Sequence, residues 1–204
     1  MYALIILISY LIGSIPNGLV IGKTLRGVDL RQFGSKNIGA TNAYRILGSW
    51  PALLVFVTDA AKGIGGVYVG QFLLGTPFAL LCGGIAAIAG HNWSIFLGFK
   101  GGRGVATGLG IIAVLVPKIT VIVFIVWAII VFLTRYVSLA SIVAAALVPL
   151  LMWLFSERTE YLLFGILAAL FVIIRHKPNI QRLIKGEELK IKTTAIKPEG
   201  KKEK

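Results

Sequence analysis

The chain alternates long apolar runs with short polar clusters. The runs fall at residues 2–22, 50–74, 78–98, 105–117, 119–134, 138–155 and 161–174. A straight helix needs about 20 apolar residues to cross a bilayer, so the fourth and seventh runs are short. Pro117-Lys118 and Arg135-Tyr136 divide one long apolar stretch into three pieces. The pattern predicts an all-α polytopic membrane protein with about seven transmembrane helices. Five spans, with the short pieces merged or demoted, is the alternative. Either odd number places the two ends on opposite sides of the membrane.

Composition agrees. Hydrophobic residues make up 57% of the 204 positions and charged residues only 14%, against about 25% in an ordinary soluble domain. No polar linker separates the runs, so residues 1–185 are expected to form one membrane-embedded domain. Residues 186–204 are rich in Lys and Glu and include Thr193-Thr194 and Pro198. They are expected to form a basic, disordered tail that meets anionic lipid. The first run lacks a basic leader and reads as a retained helix rather than a cleaved signal. Cys82 is the one cysteine, lies in an apolar run, and reads as a packing residue.

The cations orient the protein. Eighteen of the 21 Lys and Arg fall in the segment 23–45, the loop 99–104, the junction at Arg135 and the tail from 175. Lys118 and Arg158 fall on the other side, and Lys62 lies within a span. The positive-inside rule therefore predicts an N-terminus outside and a C-terminus in the cytoplasm. The net charge of +13 is accounted for in this way, and no nucleic-acid-binding motif accompanies it.

The polar clusters also fall on that side. Gly98-Phe99-Lys100-Gly101-Gly102-Arg103-Gly104-Val105-Ala106-Thr107 alternates two cations with four glycines. Backbone N–H groups there can converge on an anion, and a helix opening at Val105 would point its positive end at the same place. A flexible positive-inside loop is the bland alternative. A second cluster over residues 34–45 offers Ser35, Lys36, Asn37, Gly39, Thr41, Asn42 and Arg45, donor-rich groups suited to phosphate oxygens. His91-Asn92 ends the third run. Arg135, Ser138 and Ser141 follow the fifth, the two serines sharing a helix face. Arg175-His176-Lys177-Pro178-Asn179 ends the seventh. Asp59 and Lys62, at i and i+3 inside the second run, are expected to pair toward the bundle, with a structural role favoured.

These elements, together with Gly13-Ser14-Ile15-Pro16, resemble bacterial glycerol-3-phosphate acyltransferases of the acyl-phosphate-dependent, integral membrane type, the PlsY family. The resemblance covers nearly the whole chain except the tail. Arg103 departs from it, since the family commonly has Lys in Gly-Gly-Lys-Gly; Arg favours a planar, two-pronged phosphate contact.

The resemblance implies transfer of a fatty acyl group from acyl phosphate to the 1-hydroxyl of glycerol 3-phosphate, giving lysophosphatidic acid and inorganic phosphate. It also implies a multi-pass protein of the bacterial inner membrane whose site faces the cytoplasm. No obligatory protein partner is evident. The residues agree in kind. Ser35, Arg45, His91, Arg103, Ser141 and His176 are the candidate catalytic groups. Lys36, Asn37, Gly39, Thr41, Asn42, Lys100, Gly101, Gly102, Gly104, Thr107, Arg135, Ser138 and Asn179 are the candidate substrate-binding groups. No His-x-x-x-x-Asp pair occurs, because Phe96 and Gln181 stand where the Asp would be. Two histidines, one cysteine and no carboxylate cluster argue against a catalytic metal, and no cofactor is expected.

Direct attack, with a donor phosphate oxygen taking the proton, is therefore the favoured mechanism. His91 or His176 as base ranks second. Ser35, Ser138 or Ser141 as an acylated nucleophile ranks third. The rival functional class is a transporter for an organic phosphate, although no inverted repeat is visible.

Overall fold

A computed structural model describes residues 1–191. Among them the regular structure is helical: α1 (Tyr2–Ser14), α2 (Asn17–Arg26), α3 (Ala40–Leu47), α4 (Ser49–Leu73), α5 (Pro77–Asn92), α6 (Val105–Leu115), α7 (Pro117–Thr134), α8 (Val137–Leu154), α9 (Thr159–Arg175) and α10 (Lys177–Ile184), with one 3₁₀ turn at Ile95–Leu97.

Local chemistry sets the breaks. Pro16 interrupts the first apolar run between α1 and α2, as expected for a residue that cannot donate to the helix ladder. Pro77 and Pro117 open α5 and α7, where a missing N–H costs nothing. The Thr76 hydroxyl also accepts from the Ala79 N–H at 3.3 Å and caps α5.

All seven predicted apolar runs are helical, with adjusted lengths. Five segments are long and apolar enough to cross a membrane: Tyr2–Arg26, Ser49–Leu73, Pro77–Leu97, Pro117–Thr134 and Val137–Leu154. The pair α9–α10, bent by 58°, makes a sixth if taken as one span. Helix α6 has only 11 residues, about 16 Å, and is too short to cross alone. It ends where Val116 leaves helical geometry just before Pro117. Gly104 and Val105 at its start share a cavity with Val137 and Ser138, which follow α7. Helices α6 and α7 therefore run out from that cavity and back to it.

Helices α1, α4, α5 and α6 pack together, α7 packs on α8 and α8 on α9, and the two groups meet through α5–α9 and α6–α7. Small residues allow the closest crossings. The backbones of Gly66 in α4 and Gly83 in α5 leave no room for a Cβ on either, the arrangement by which membrane helices gain van der Waals contact. Ile88, Ile111, Met152 and Phe164 fill the centre. Phe72, Phe132 and Leu133 face outward, as lipid-facing side chains do.

The expected boundary of the tail shifts. Residues 187–191 lie back along the bundle: Glu188 is buried, and the Ile191 N–H donates to the Arg135 carbonyl at 2.8 Å. The remainder, 192–204, lies outside the described residues.

Candidate active site

Three loops and two helix junctions converge at one end of the bundle around a cavity of about 570 Å³. The first wall is the segment 34–45. Asn42 shapes it. Its two N–H donors reach the carbonyls of Leu30, Phe33 and Asn37 at 3.1, 3.1 and 2.9 Å, so one is shared, and its Oδ1 accepts from the Ser35 N–H at 2.9 Å. Asn37 Oδ1 accepts from Gly39 N–H at 2.8 Å, a turn that leads into α3. Ser35, Asn37, Gly39, Thr41, Asn42 and Arg45 all line the cavity.

The glycine-rich loop forms the second wall. Gly101 and Gly102 donate to the Asn92 and His91 carbonyls at 3.1 and 2.9 Å, folding the loop over the end of α5. Arg175 secures it from the other side by donating to the Gly102 and Gly101 carbonyls at 3.1 and 3.0 Å. Gly102 has no space for a side chain, because a Cβ there would meet the His91 ring. Gly104, at φ 78°, turns the chain into α6. Arg103 and Gly104 line the cavity.

His91 itself is held from below. The buried Lys62 donates to the Ile15 carbonyl at 2.8 Å, to Asp59 Oδ1 at 2.9 Å and to His91 Nδ1 at 3.1 Å. An ammonium has three donors and no acceptor, so all three are used and His91 Nδ1 must be the acceptor. The proton of a neutral His91 then sits on Nε2, the atom beneath Gly102. Asn17 Nδ2 donates to the same Asp59 oxygen at 3.2 Å. The Asp59–Lys62 pair thus reaches the site, where the sequence favoured a structural role.

His176 has the opposite tautomer. Its Nδ1 lies 2.7 Å from the Val172 carbonyl, which can only accept, so Nδ1 carries the proton and Nε2 is left with its lone pair. His176 lines the cavity with Ser138 and Ser141. Ser141 Oγ accepts from Trp127 Nε1 at 3.2 Å.

One residue was missed by the sequence reading. Glu188 reaches in from beyond α10 and accepts from Ser138 Oγ at 2.8 Å, Asn179 Nδ2 at 2.6 Å and Arg182 Nε at 2.7 Å. Burial alone would raise its pKa, but these hydrogen bonds and the Arg182 charge prevail and keep the carboxyl below its ordinary value. Burial lowers Arg103 to about 10, with Glu188 opposing the shift and Arg182, Arg45 and Arg175 adding to it. Arg103 therefore remains charged at neutral pH. Arg45 is lowered mainly by burial and donates to the Leu189 carbonyl at 2.8 Å.

Several candidates fall elsewhere. Lys36, Lys100 and Gly101 line a separate, smaller pocket; the chain turns through left-handed backbone at Lys36 (φ 57°) and at Gly98 and Phe99, just before Lys100. Arg135 is exposed at φ 63° between α7 and α8, its guanidinium 5.9 Å from the Phe132 ring. Thr107 is fully buried against the backbone of Gly63. Asn179 is buried on Glu188 rather than among the cavity lining. Among the described residues no group of three His, Cys, Asp or Glu could hold a metal ion.

Away from the polar loops the cavity runs between Leu53, Phe56, Val123, Phe124, Ala145 and Val148. Leu53 and Phe124 are also exposed on the outside of the bundle, so this apolar arm opens toward lipid. One cavity thus joins a cationic, donor-rich end to an apolar groove.

Comparison with known proteins agrees. The Glycerol-3-phosphate acyltransferase family model matches residues 3–186. Glycerol-3-phosphate acyltransferase 2 of Moorella thermoacetica is 47% identical over 191 residues, covering 94% of this chain and 98% of that protein. The Desulforamulus reducens glycerol-3-phosphate acyltransferase is 45% identical over 188 residues, 92% of this chain and 94% of its own. Two crystal structures of PlsY (YgiH), an integral membrane glycerol 3-phosphate acyltransferase, are similar throughout. The glycerol 3-phosphate form gives a TM-score of 0.88 at 39% identity, and the lysophosphatidic acid form 0.86 at 38%. Each covers 94% of this chain and 96% of that one. The chain belongs to the glycerol-3-phosphate acyltransferase family and is an integral membrane acyltransferase of the PlsY type.

Proposed function

We propose that the protein transfers a fatty acyl group from acyl phosphate to the 1-hydroxyl of glycerol 3-phosphate, releasing lysophosphatidic acid and inorganic phosphate. The observation that carries this reading is the single cavity that joins Arg45, Arg103 and the donor-rich loops to an apolar groove open to lipid. Both substrates bear a phosphate, and only the donor brings an acyl chain that needs the groove.

The reaction then needs little covalent help from the protein. The glycerol hydroxyl oxygen attacks the acyl carbonyl carbon, and the bond from that carbon to the phosphate oxygen breaks. The hydroxyl proton passes to a phosphate oxygen of the donor, which leaves as hydrogen phosphate. The positioned cations and the N–H groups at the start of α6 stabilise the charge that develops. His91 Nε2–H serves as a fixed donor beneath the glycine loop. His176 Nε2 is the histidine lone pair that can accept the glycerol hydroxyl, which makes His176 the base if a side chain takes the proton.

The serines suit a nucleophilic role poorly. Ser138 donates its proton to Glu188, and among the described residues Ser141 has no histidine–carboxylate pair attached. The reaction is read as metal-independent. The site is read as facing the cytoplasm of the bacterial inner membrane, since the clusters holding most of the cations meet at one end of the bundle.

Purified protein in micelles should convert labelled glycerol 3-phosphate and palmitoyl phosphate to lysophosphatidate, and should form none with palmitoyl-CoA. The reverse preference would overturn the donor assignment. Arg103→Lys should reduce turnover without abolishing it, while Arg103→Ala should cost several kcal/mol, or more than about a hundredfold in rate. His91→Gln and His176→Gln should each cost less than Arg103→Ala. A His176→Gln variant without turnover, together with loss of the acid-side inflection of the parent's pH–rate profile, would transfer the proton step to that residue.

The tautomers can be read directly. Imidazole nitrogen NMR should show His91 protonated at Nε2 and His176 at Nδ1. Lys62→Met should erase the fixed His91 pattern and leave that of His176. His91 protonated at Nδ1 in the parent protein would contradict the role given to Lys62.

Orientation has its own test. A cysteine introduced near Arg158 should react with an impermeant thiol reagent outside intact cells, and one near Lys190 should not. The opposite pattern would invert the topology.

A further inference from the structure

The walls of the reaction cavity have an outer face with a pocket of its own. Along the segment 35–39, Ser35, Asn37 and Gly39 face the reaction cavity, while Lys36 and Ile38 face outward into a second pocket of about 290 Å³. The glycine loop divides in the same way, with Arg103 and Gly104 inward and Lys100 and Gly101 outward. Arg31 and Arg175 complete a ring of four cations drawn from three separate parts of the chain.

We propose that this outer pocket is a second phosphate site, separate from the two phosphates of the reaction, and that it holds the headgroup phosphate of an anionic membrane lipid.

The charge balance calls for an anion. Arg31 is bound to Asp29 at 2.6 Å, and the hydrogen bond from Arg31, against the opposing effect of burial, keeps that carboxyl ionised with a pKa of about 2. Arg175 spends two of its five donors on the Gly101 and Gly102 carbonyls and lies 5.8 Å from the Trp93 ring, so its guanidinium is held in place. Lys36 and Lys100 have no carboxylate within salt-bridge distance among the described residues. Two exposed ammonium groups without a carboxylate partner and a fixed guanidinium thus line one pocket, and like charges gathered in a pocket attract an anion.

The surroundings identify the source of the phosphate. Trp93 and Phe99 line the pocket. The same turn carries Ile95, Phe96 and Phe99, exposed at 48%, 58% and 59%. Phe99, at φ 61°, and the preceding Gly98, at φ 59°, both adopt left-handed backbone. Apolar and aromatic side chains beside Lys and Arg are the pattern of a membrane–water interface, where the apolar groups enter the acyl layer and the cations meet headgroups. A free phosphate ester would need the cations but not the exposed apolar turn. The dividing wall also keeps an anion in this pocket away from Arg45 and Arg103, so it is not the reacting group.

The test compares the parent protein with Lys36→Gln/Lys100→Gln by native mass spectrometry from mixed micelles of phosphatidylglycerol and phosphatidylcholine. The melting temperature serves as the control for folding, and Lys100→Gln alone carries the same test if the double variant does not fold. The parent should retain phosphatidylglycerol in preference to phosphatidylcholine. The double variant should lose roughly tenfold or more of that preference, since each cation near an anionic surface is worth about a factor of five. An equal preference in both proteins, or none in either, would overturn the proposal. Displacement of the lipid by millimolar glycerol 3-phosphate, with a raised KM for it in the variant, would assign the pocket to the free ester and overturn the lipid source.

Discussion

A single ammonium group underlies this site. Lys62 lies in the middle of an apolar helix with 5% of its side chain exposed, a position where an uncompensated charge is costly. It is tolerated because its three donors find the Ile15 carbonyl at the end of α1, Asp59 one turn away on α4, and His91 on α5. The compensation joins three helices at the floor of the reaction cavity. It also settles which nitrogen of His91 carries the proton, so packing and chemistry have a common cause.

Above that floor the difficulty is reversed, because cations must be kept close together before an anion arrives. Backbone carbonyls and one carboxylate manage this. Arg45 rests on carbonyls of the segment after α10, Arg175 on those of the glycine loop, and Arg182 on Glu188. Most of these partners are neutral dipoles, so the site keeps net positive charge for phosphate while its guanidiniums stay in place. Pre-set positions matter for the proposed reaction with acyl phosphate, whose leaving group is already good, since there the protein would contribute mainly placement and charge stabilisation.

Much of this was legible from the sequence. The apolar runs marked the helices because lipid leaves little alternative for the backbone, and the glycine-rich and Ser–Asn–Arg clusters marked the loops that meet. What could not be read was set by three-dimensional packing. The pairing of Asp59 with Lys62 followed from their spacing, but His91 comes from another helix. Lys36 and Lys100 sit within the right motifs yet line the outer pocket, because the chain turns through left-handed backbone at Lys36 and just before Lys100. Arg135 is exposed at a left-handed junction that no spacing rule announced. Glu188 lies in a stretch whose Lys- and Glu-rich composition resembles a solvated tail; only its contacts with Ser138, Asn179 and Arg182 bring it inside. The short α6, an apolar helix of only 11 residues, is why run lengths alone did not fix the number of spans.

The central claim is that acyl transfer is direct, between two phosphate-bearing substrates held in one cavity. The most direct measurement is the intact mass of the purified protein after mixing with palmitoyl phosphate and no acceptor, together with phosphate release on the same samples. Direct transfer predicts an unmodified protein and no burst of phosphate until glycerol 3-phosphate is added. A stoichiometric palmitoyl adduct on Ser35, Ser138 or Ser141, formed with a matching phosphate burst and discharged by glycerol 3-phosphate, would contradict it.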